Sequence, residues 1–300
     1  MKCLFLYNPN SGKGRVKKKL PFIEKTLRKK FDEVVLCATQ SAQDLEEQAR
    51  LGAEQFEAIV FSGGDGTFNN ILHGVGEKDV LLGYLPTGTA NDVAHSLGIP
   101  RKRLKGALKV ILKGRTEQVD CMRVNGVEYA MYVAAAGAFT SVTYSTPQKR
   151  KRKFGWLAYA FEALKTSMKF GSFPVKIICG ERTLQTDSVL ILVMSGRTVA
   201  GFPVNSRASM QDGILEVAVV KKNIQKRGRV SAFFSIIHLF LFGRRVRKKS
   251  LEFLSGSEIT VETQDSLVWD FDGEKGVEGS VKIEVLPRRV KMFVPQKKKI

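Results

Sequence analysis

Three glycine-rich loops constrain the fold of this 300-residue chain more than any other feature. They are Asn8-Pro9-Asn10-Ser11-Gly12-Lys13-Gly14, Gly63-Gly64-Asp65-Gly66-Thr67 and Pro86-Thr87-Gly88-Thr89-Ala90-Asn91-Asp92. Each follows a short apolar run: Cys3 to Tyr7, Ala58 to Phe61 and Leu81 to Leu85. Each precedes a segment of helical character, marked by Val16, Leu20, Ile23, Leu27 and Phe31, by Phe68, Ile71, Leu72 and Val75, and by Asn91 to Leu97. Val34 to Cys37 reads as one more strand, with Leu45, Glu46 and Ala49 in the helix after it, and Leu104 to Leu112 reads as a further helix. Apolar runs alternating with helical periodicity predict an α/β domain over residues 1–116, with a parallel sheet covered on both faces.

Beyond Thr116 the pattern changes. Val119 to Val124 and Val127 to Val133 flank Asn125-Gly126, the strongest short signal for a hairpin. Further strand-like runs are Val175 to Cys179, Val189 to Val193, Leu215 to Val220, Ile259 to Val261, Val281 to Val285 and Val290 to Val294. They predict a mainly antiparallel β domain over 117–288. Two helical segments interrupt it, near Trp156 to Phe170 and Val230 to Phe242. A last strand, residues 289–300, is open to returning to the first domain.

The loops sit where ligands bind in open α/β sheets, at strand ends that lead into helices. A helix N-terminus offers free N–H groups and partial positive charge, and glycine lets the main chain approach an anion closely. Thr67 and Thr89 add hydroxyl donors, and Lys13 and Arg15 add positive charge, so the loops read as phosphate-binding. The same composition also serves plain connectors, but three such loops at successive strand ends argue against that alone. No GxxxxGK[ST] is present and no GxGxxG follows a strand, so P-loop and dinucleotide enzymes are unsupported. Asp65 and Asp92 are placed where a bare carboxylate would repel phosphate. A divalent cation, Mg2+, held between them and the ligand removes that conflict. Both residues also suit helix caps, and the two roles are compatible.

GGDGT followed by a helix, together with NPNSGKG and LPTGTANDVAHSLGIP, resembles the diacylglycerol-kinase catalytic family, in particular its bacterial soluble lipid-kinase branch, which is related in fold to NAD kinases. Asp212-Gly213-Ile214-Leu215 and Asp272-Gly273-Glu274 extend the resemblance over nearly the whole chain. It implies a Rossmann-like nucleotide-binding domain followed by a β-sandwich carrying the lipid site, in an enzyme that moves the γ-phosphoryl of ATP to a lipid hydroxyl, chiefly diacylglycerol. Asn8, Pro9, Asn10, Ser11, Gly12, Lys13, Thr39, Gly63, Gly64, Asp65, Gly66, Thr67, Phe68, Asn69 and Thr89 would line the ATP site. Asp65, Asp92 and Asp120 would form an acidic network holding Mg2+ through water, and Glu274 would be the general base. A second, structural Mg2+ would lie at Asp212, with main-chain oxygens of Ser209 and Ile214. Asp272 would orient the turn that carries Glu274. Related kinases imply a homodimer. The chain departs from the family at Arg197 to Pro203, where one glycine stands in place of a cluster.

Lys plus Arg number 49 against 29 Asp plus Glu, a net charge of +20, which favours an anionic partner. The charge is clustered beside apolar segments. Lys149 to Lys153 precedes Phe154 to Phe161; Arg244, Arg245, Arg247, Lys248 and Lys249 follow Phe233 to Phe242; and Lys297 to Lys299 lies further on. That arrangement suits docking of a cytoplasmic enzyme on an anionic membrane. A solvated charged face is the plainer reading, and nucleic-acid binding lacks a supporting motif. Phe233 to Phe242 falls short of the roughly 20 apolar residues needed to span a bilayer, so it reads as a buried or interfacial helix. The four cysteines form no CxxC pair, and the first residues do not read as a signal peptide. Two competing expectations are a kinase for a soluble acceptor such as NAD, and an inactive relative that only binds membrane or nucleic acid. The apolar helices flanked by basic runs weigh against the first, and Asp65, Asp92 and Glu274 against the second.

Overall fold

The computed structural model describes residues 1–10, 16–101, 103–138, 171–222, 228–245 and 248–296. The expected helix Trp156 to Phe170 and the basic runs Lys149 to Lys153 and Lys297 to Lys299 lie outside these residues. The chain divides into two units: 1–121 with 210–212 and 286–300, and 122–209 with 213–285.

The first unit opens with strand β1 (Lys2–Tyr7), a short 3-10 turn and helix α1 (Leu20–Leu27). Then follow β2 (Glu33–Ala38), α2 (Ala42–Gln55), β3 (Ala58–Gly63), α3 (Asp65–Val75), β4 (Leu81–Pro86), α4 (Asp92–Ser96) and α5 (Leu104–Lys113). The strands pair in parallel: β1 between β2 and β3, and β4 beside β3. Every residue of β3 is buried, as a central strand covered on both faces requires. α2 begins at Ser41, whose side chain accepts the Asp44 N–H at 3.0 Å, an N-cap that fixes where the helix starts. Helix α4 is shorter than the Asn91 to Leu97 expectation. Asn91 takes the left-handed conformation (φ 53°), and the chain turns out of the helix again at Gly98 (φ 71°).

The second unit is built mostly from antiparallel pairs. β5 (Arg115–Val124) enters it and turns through Asn125 and Gly126 (φ 51° and 80°) into β6 (Glu128–Ala130). Both left-handed residues are what the tight Asn-Gly hairpin demands. The expected run Val127 to Val133 is instead two strands, β6 and β7 (Val133–Gly137). It breaks because the main chain at Met131 and Tyr132 bonds elsewhere: the Ser195 hydroxyl donates to the Met131 carbonyl at 2.8 Å, and the Tyr132 N–H donates to Asp272 at 2.9 Å. β8 (Phe173–Cys179), β9 (Arg182–Met194) and β10 (Leu215–Lys221) follow, then helix α6 (Gly228–Phe242) and β11 to β14 (Leu251–Gly256, Glu258–Glu262, Val268–Phe271 and Glu274–Glu278). β9 pairs with β7, β8 and β10, and so organises the unit. Trp269, Ile191, Val193, Val217, Ile259 and Ile283 are all fully buried within one core cluster.

The final strand, β15 (Val281–Val294), joins the two separately expected runs Val281 to Val285 and Val290 to Val294. Between them stand Pro287 and Arg288, the latter with φ 53°, so the strand is irregular there but does not end. The first half of β15 pairs antiparallel with β12 in the second unit, and the second half runs parallel to β4 in the first, with Met292 opposite Leu82.

Candidate active site

In the first unit the glycine loops after β3 and β4 are held against each other. The N–H groups of Thr87 and Gly88 donate to the Gly63 carbonyl at 2.8 and 3.1 Å. A Cβ on Gly88 would lie 2.5 Å from the Gly64 Cα, so only glycine permits this approach. The Ser62 and Thr87 hydroxyls lie 3.2 Å apart. The Asn91 side chain closes its own loop, with Oδ1 accepting from the Gly88 N–H and Nδ2 donating to the Gly88 carbonyl, at 3.0 and 2.9 Å. Beneath both loops the Tyr84 hydroxyl reaches Asn91 Oδ1 at 3.1 Å and the Gly63 carbonyl at 3.4 Å. Its ring packs with those of Phe61 and Phe68 in a buried aromatic cluster, centroids 5.1 to 5.3 Å apart.

Asp65 is the first residue of α3, where a negative charge suits the helix N-terminus. Its carboxylate also crosses to the next loop, accepting the N–H of Asp92 at 3.1 Å and of Val93 at 3.2 Å. It therefore caps α4 as well. Asp92 is fully buried and Asp65 nearly so. Burial pushes the Tyr84 hydroxyl well above its ordinary pKa, and the Asp65 and Asp92 charges push it the same way. Asp120, also buried, is fixed by main-chain bonds: its Oδ1 accepts the Arg288 N–H at 2.7 Å, and its own N–H donates to the Met210 carbonyl. Among the described residues no three His, Cys, Asp or Glu side chains converge closely enough to hold a metal ion. The network expected of Asp65, Asp92 and Asp120 holds Mg2+ through water, which does not require such direct convergence. Two buried carboxylates at phosphate-type loops do fit Mg2+, which keeps most of its waters and takes one or two carboxylates plus substrate phosphates.

The other expected nucleotide residues divide. Thr39 is buried at the end of β2, with its N–H on the Tyr7 carbonyl at 2.9 Å, so it stands beside the end of β1. Asn8 follows β1 and its Oδ1 accepts the Asn10 N–H at 2.8 Å; Pro9 lies between them. Ser11, Gly12 and Lys13 lie outside the described residues. Gly66 and Thr67 are half-buried in the first turn of α3, where the Thr67 hydroxyl accepts the Gly64 N–H at 3.4 Å. Phe68 and Asn69 are buried, and the Phe68 ring belongs to the aromatic cluster, which leaves only its main chain to meet a nucleotide. Thr89 is exposed. Sequence reasoning missed Ser62, Tyr84 and Asn91 as the residues that stitch the loops together. A tyrosine in the otherwise apolar run LLGYLP was the available signal.

In the second unit, Asp272 and Gly273 (φ 55° and 95°) form the tight turn between β13 and β14, and Glu274 opens β14, exposed to solvent. The Asp272 carboxylate, itself buried, accepts the N–H groups of Met131, Tyr132 and Val133. Asp270 Oδ1 accepts the Gly273 N–H at 2.9 Å. Two carboxylates thus lock the turn that presents Glu274. Ser209, Asp212 and Ile214 precede β10 in the chain, Asp212 in the first unit and the other two in the second. Asp212 and Ile214 are exposed, and Asp212 is the single acidic member of the three. At the glycine-poor segment, Ala200 and Gly201 form a tight turn between Val199 and Phe202, and Phe202 packs edge-on to Phe240 of α6 at 5.4 Å.

Residues 2–124 match the diacylglycerol kinase catalytic domain, and residues 132–294 match the YegS C-terminal NAD kinase beta sandwich-like domain. The chain belongs to the diacylglycerol-kinase family of bacterial lipid kinases. Its architecture, an α/β domain followed by a β-sandwich, is that of the family, as the sequence motifs implied. A diacylglycerol kinase of Bacillus subtilis (strain 168) is 28% identical over 297 residues, 98% of this chain and 96% of that protein. One of Staphylococcus aureus (strain MRSA252) is 29% identical over 295 residues, 97% of this chain and 91% of that protein. The crystal structure of a diacylglycerol kinase from Bacillus anthracis str. Sterne shares the fold, with a TM-score of 0.77 at 23% identity over 98% of this chain and 96% of that one.

Proposed function

We propose that this lipid kinase transfers the γ-phosphoryl of ATP to the free hydroxyl of diacylglycerol, giving phosphatidic acid and ADP. The reading is supported above all by Asp65, a nearly buried carboxylate that ties two glycine loops at adjacent strand ends. A carboxylate placed beside phosphate calls for a divalent cation between the two. Diacylglycerol as the acceptor is supported by the names of the relatives that match the chain from end to end.

In this mechanism the loops Asn8 to Lys13, Gly63 to Asn69 and around Thr89 bind the triphosphate through main-chain N–H groups and the Thr67 and Thr89 hydroxyls. Asp65, Asp92 and Asp120 would hold Mg2+ through water, and the ion would supply neutralisation of the phosphate charge. Glu274 accepts the proton of the lipid hydroxyl as its oxygen bonds to the γ-phosphorus and the bond to the ADP oxygen breaks. Asp272 holds Glu274 in position and takes no proton. The enzyme meets its substrate by docking on an anionic membrane surface. No helix among the described residues is long and apolar enough to cross a membrane.

The test is transfer of labelled γ-phosphate from ATP into a panel of lipid alcohols in mixed micelles, with Mg2+ or with chelator. Labelled phosphatidic acid formed only with Mg2+ is the expected result. Label in NAD or another soluble alcohol, and in no lipid, overturns the reading.

A further inference from the structure

The second unit contains a cavity of about 890 Å3 beyond the end of α6, lined by Asn205 to Arg207, by Arg244, Arg245, Lys248 and Lys249, and by β10 and β11. Its lining cations are those four and Arg207, against the carboxylates Glu216 and Glu252. Both carboxylates already have partners lining or bordering the cavity: Glu216 accepts from Asn205 Nδ2 at 2.9 Å, and Glu252 pairs with Lys221 at 3.1 Å. None of the five cations forms an ion pair among the described residues. An excess of positive charge gathered around one hollow raises the local potential and favours an anion there.

The chain is built to bring these groups together. α6 is followed by Gly243, which is buried with φ 57°, and a Cβ there would lie 2.3 Å from the Val204 carbonyl oxygen. The reversal therefore presses Arg244 and Arg245 against the loop that carries Arg207. The Arg244 guanidinium lies 5.8 Å from the centre of the Phe253 ring, which steadies it. The start of β11 is tied to α6 by the Ser235 and Ser250 hydroxyls, 2.6 Å apart.

The neighbouring face of α6 is apolar and bare. Ala232, Ile236 and Leu239 are buried, whereas Phe234, Leu241 and Phe242 are 57%, 53% and 48% exposed. Phe234 and Leu241 stand two helical turns apart on one side. A patch of large apolar side chains beside a cationic hollow matches one partner surface: hydrocarbon next to phosphate.

We propose that this cavity binds the phosphate of an anionic phospholipid in a bilayer, while Phe234, Leu241 and Phe242 enter the acyl boundary beside it. The inference deepens the membrane-docking part of the proposed function by assigning it to one site, built from other residues than the nucleotide loops. The lipid held there is an anchor and not the acceptor, because it carries phosphate already.

The test is sedimentation of the full chain with phosphatidylcholine vesicles, with and without phosphatidylglycerol, in the absence of ATP. Phosphoryl transfer plays no part, so its failure and the failure of this inference are read separately. The protein is expected to prefer the anionic vesicles. The double variant Arg244→Gln/Arg245→Gln should lose about 30-fold in partition onto them, at about 1 kcal/mol for each cation. The double variant Phe234→Ser/Leu241→Ser should bind both vesicle types more weakly. Should the arginine variant melt early, Lys248→Gln/Lys249→Gln serves in its place. Equal binding of the charge variant and the parent overturns the proposal. So does full release from anionic vesicles by inorganic phosphate at constant ionic strength, which would make free phosphate the occupant.

Discussion

The carboxylate of Asp65, at the start of α3, accepts the main-chain N–H of Asp92, at the start of α4, at 3.1 Å. One side chain from the GGDGT loop thereby fixes the origin of the helix that follows the next loop. Changing it should disturb structure and chemistry together, and the two effects can be separated by the substitution chosen. Asp65→Ala removes both bonds to α4 and should cost about 1–2 kcal/mol, the usual loss of a strong cap. Asp65→Asn keeps an acceptor oxygen but not the charge. It should stay folded, by its thermal midpoint, while losing at least about 100-fold in phosphoryl transfer. An Asn variant with full activity would leave Asp65 as a cap alone.

Tyr84 provides a pH signature. Its hydroxyl is buried between Gly63 and Asn91 and is pushed well above the usual tyrosine pKa of 10 by burial, then by Asp65 and Asp92. In the unfolded chain it ionises near the usual value. Above that pH the unfolded state therefore holds fewer protons than the native state, and stability falls as pH rises. Below it this contribution is fully present. Tyr84→Phe should be less stable at neutral pH by about 1 kcal/mol for the lost hydrogen bonds, but its stability should fall less steeply above about pH 10. Parallel alkaline unfolding curves for parent and variant would contradict this.

Glu274 is exposed, so Glu274→Gln should leave the melting midpoint unchanged. The role of general base predicts a fall in kcat of about 100-fold or more with little change in the KM for ATP. Steady-state kinetics against both substrates check it, and an unchanged kcat removes Glu274 from the base role.

Asp272 should behave in the opposite way. Its buried carboxylate accepts three main-chain N–H groups, at Met131, Tyr132 and Val133. Asp272→Ala leaves those donors without their acceptor, so a loss of about 3 kcal/mol or more is expected in denaturant titration. A milder Asp272→Asn variant should fold and show reduced kcat, because the turn that presents Glu274 is then less firmly held.

Gly88→Ala tests the closeness of the two glycine loops and their proposed part in binding ATP. The added methyl would lie 2.5 Å from the Gly64 Cα and 2.8 Å from Asn91 Oδ1, so the loops must part. The KM for ATP should rise at least about tenfold while the second unit, probed through Trp269 fluorescence, unfolds as before.

Much of this was legible in the residues themselves. Strand–helix alternation up to Lys113 and the Asn125-Gly126 hairpin follow from periodicity and turn chemistry, and both are present. β11 and β14 were not foreseen. LEFLSG follows a basic run that reads as loop, and EKGVE is polar with a central glycine, so neither carries the apolar alternation that marks a strand. Pro287 made one long strand read as two. At the site, the loops announce themselves through glycine and threonine. The work of Tyr84, Asn91 and Asp272 depends on partners 7, 21 and about 140 residues away, which no local pattern encodes.

The division of β15 between the two units bears on how the chain is made. Residues 286–294 supply the strand that runs along β4, so during synthesis the parallel sheet of the first unit keeps an open edge there until nearly all of the second unit has emerged. The first unit therefore cannot mature as an independent N-terminal domain ahead of the rest, as most domains do on the ribosome. Its completion is tied to the arrival of its last strand, and fragments that stop short of Arg288 should accumulate as chaperone clients.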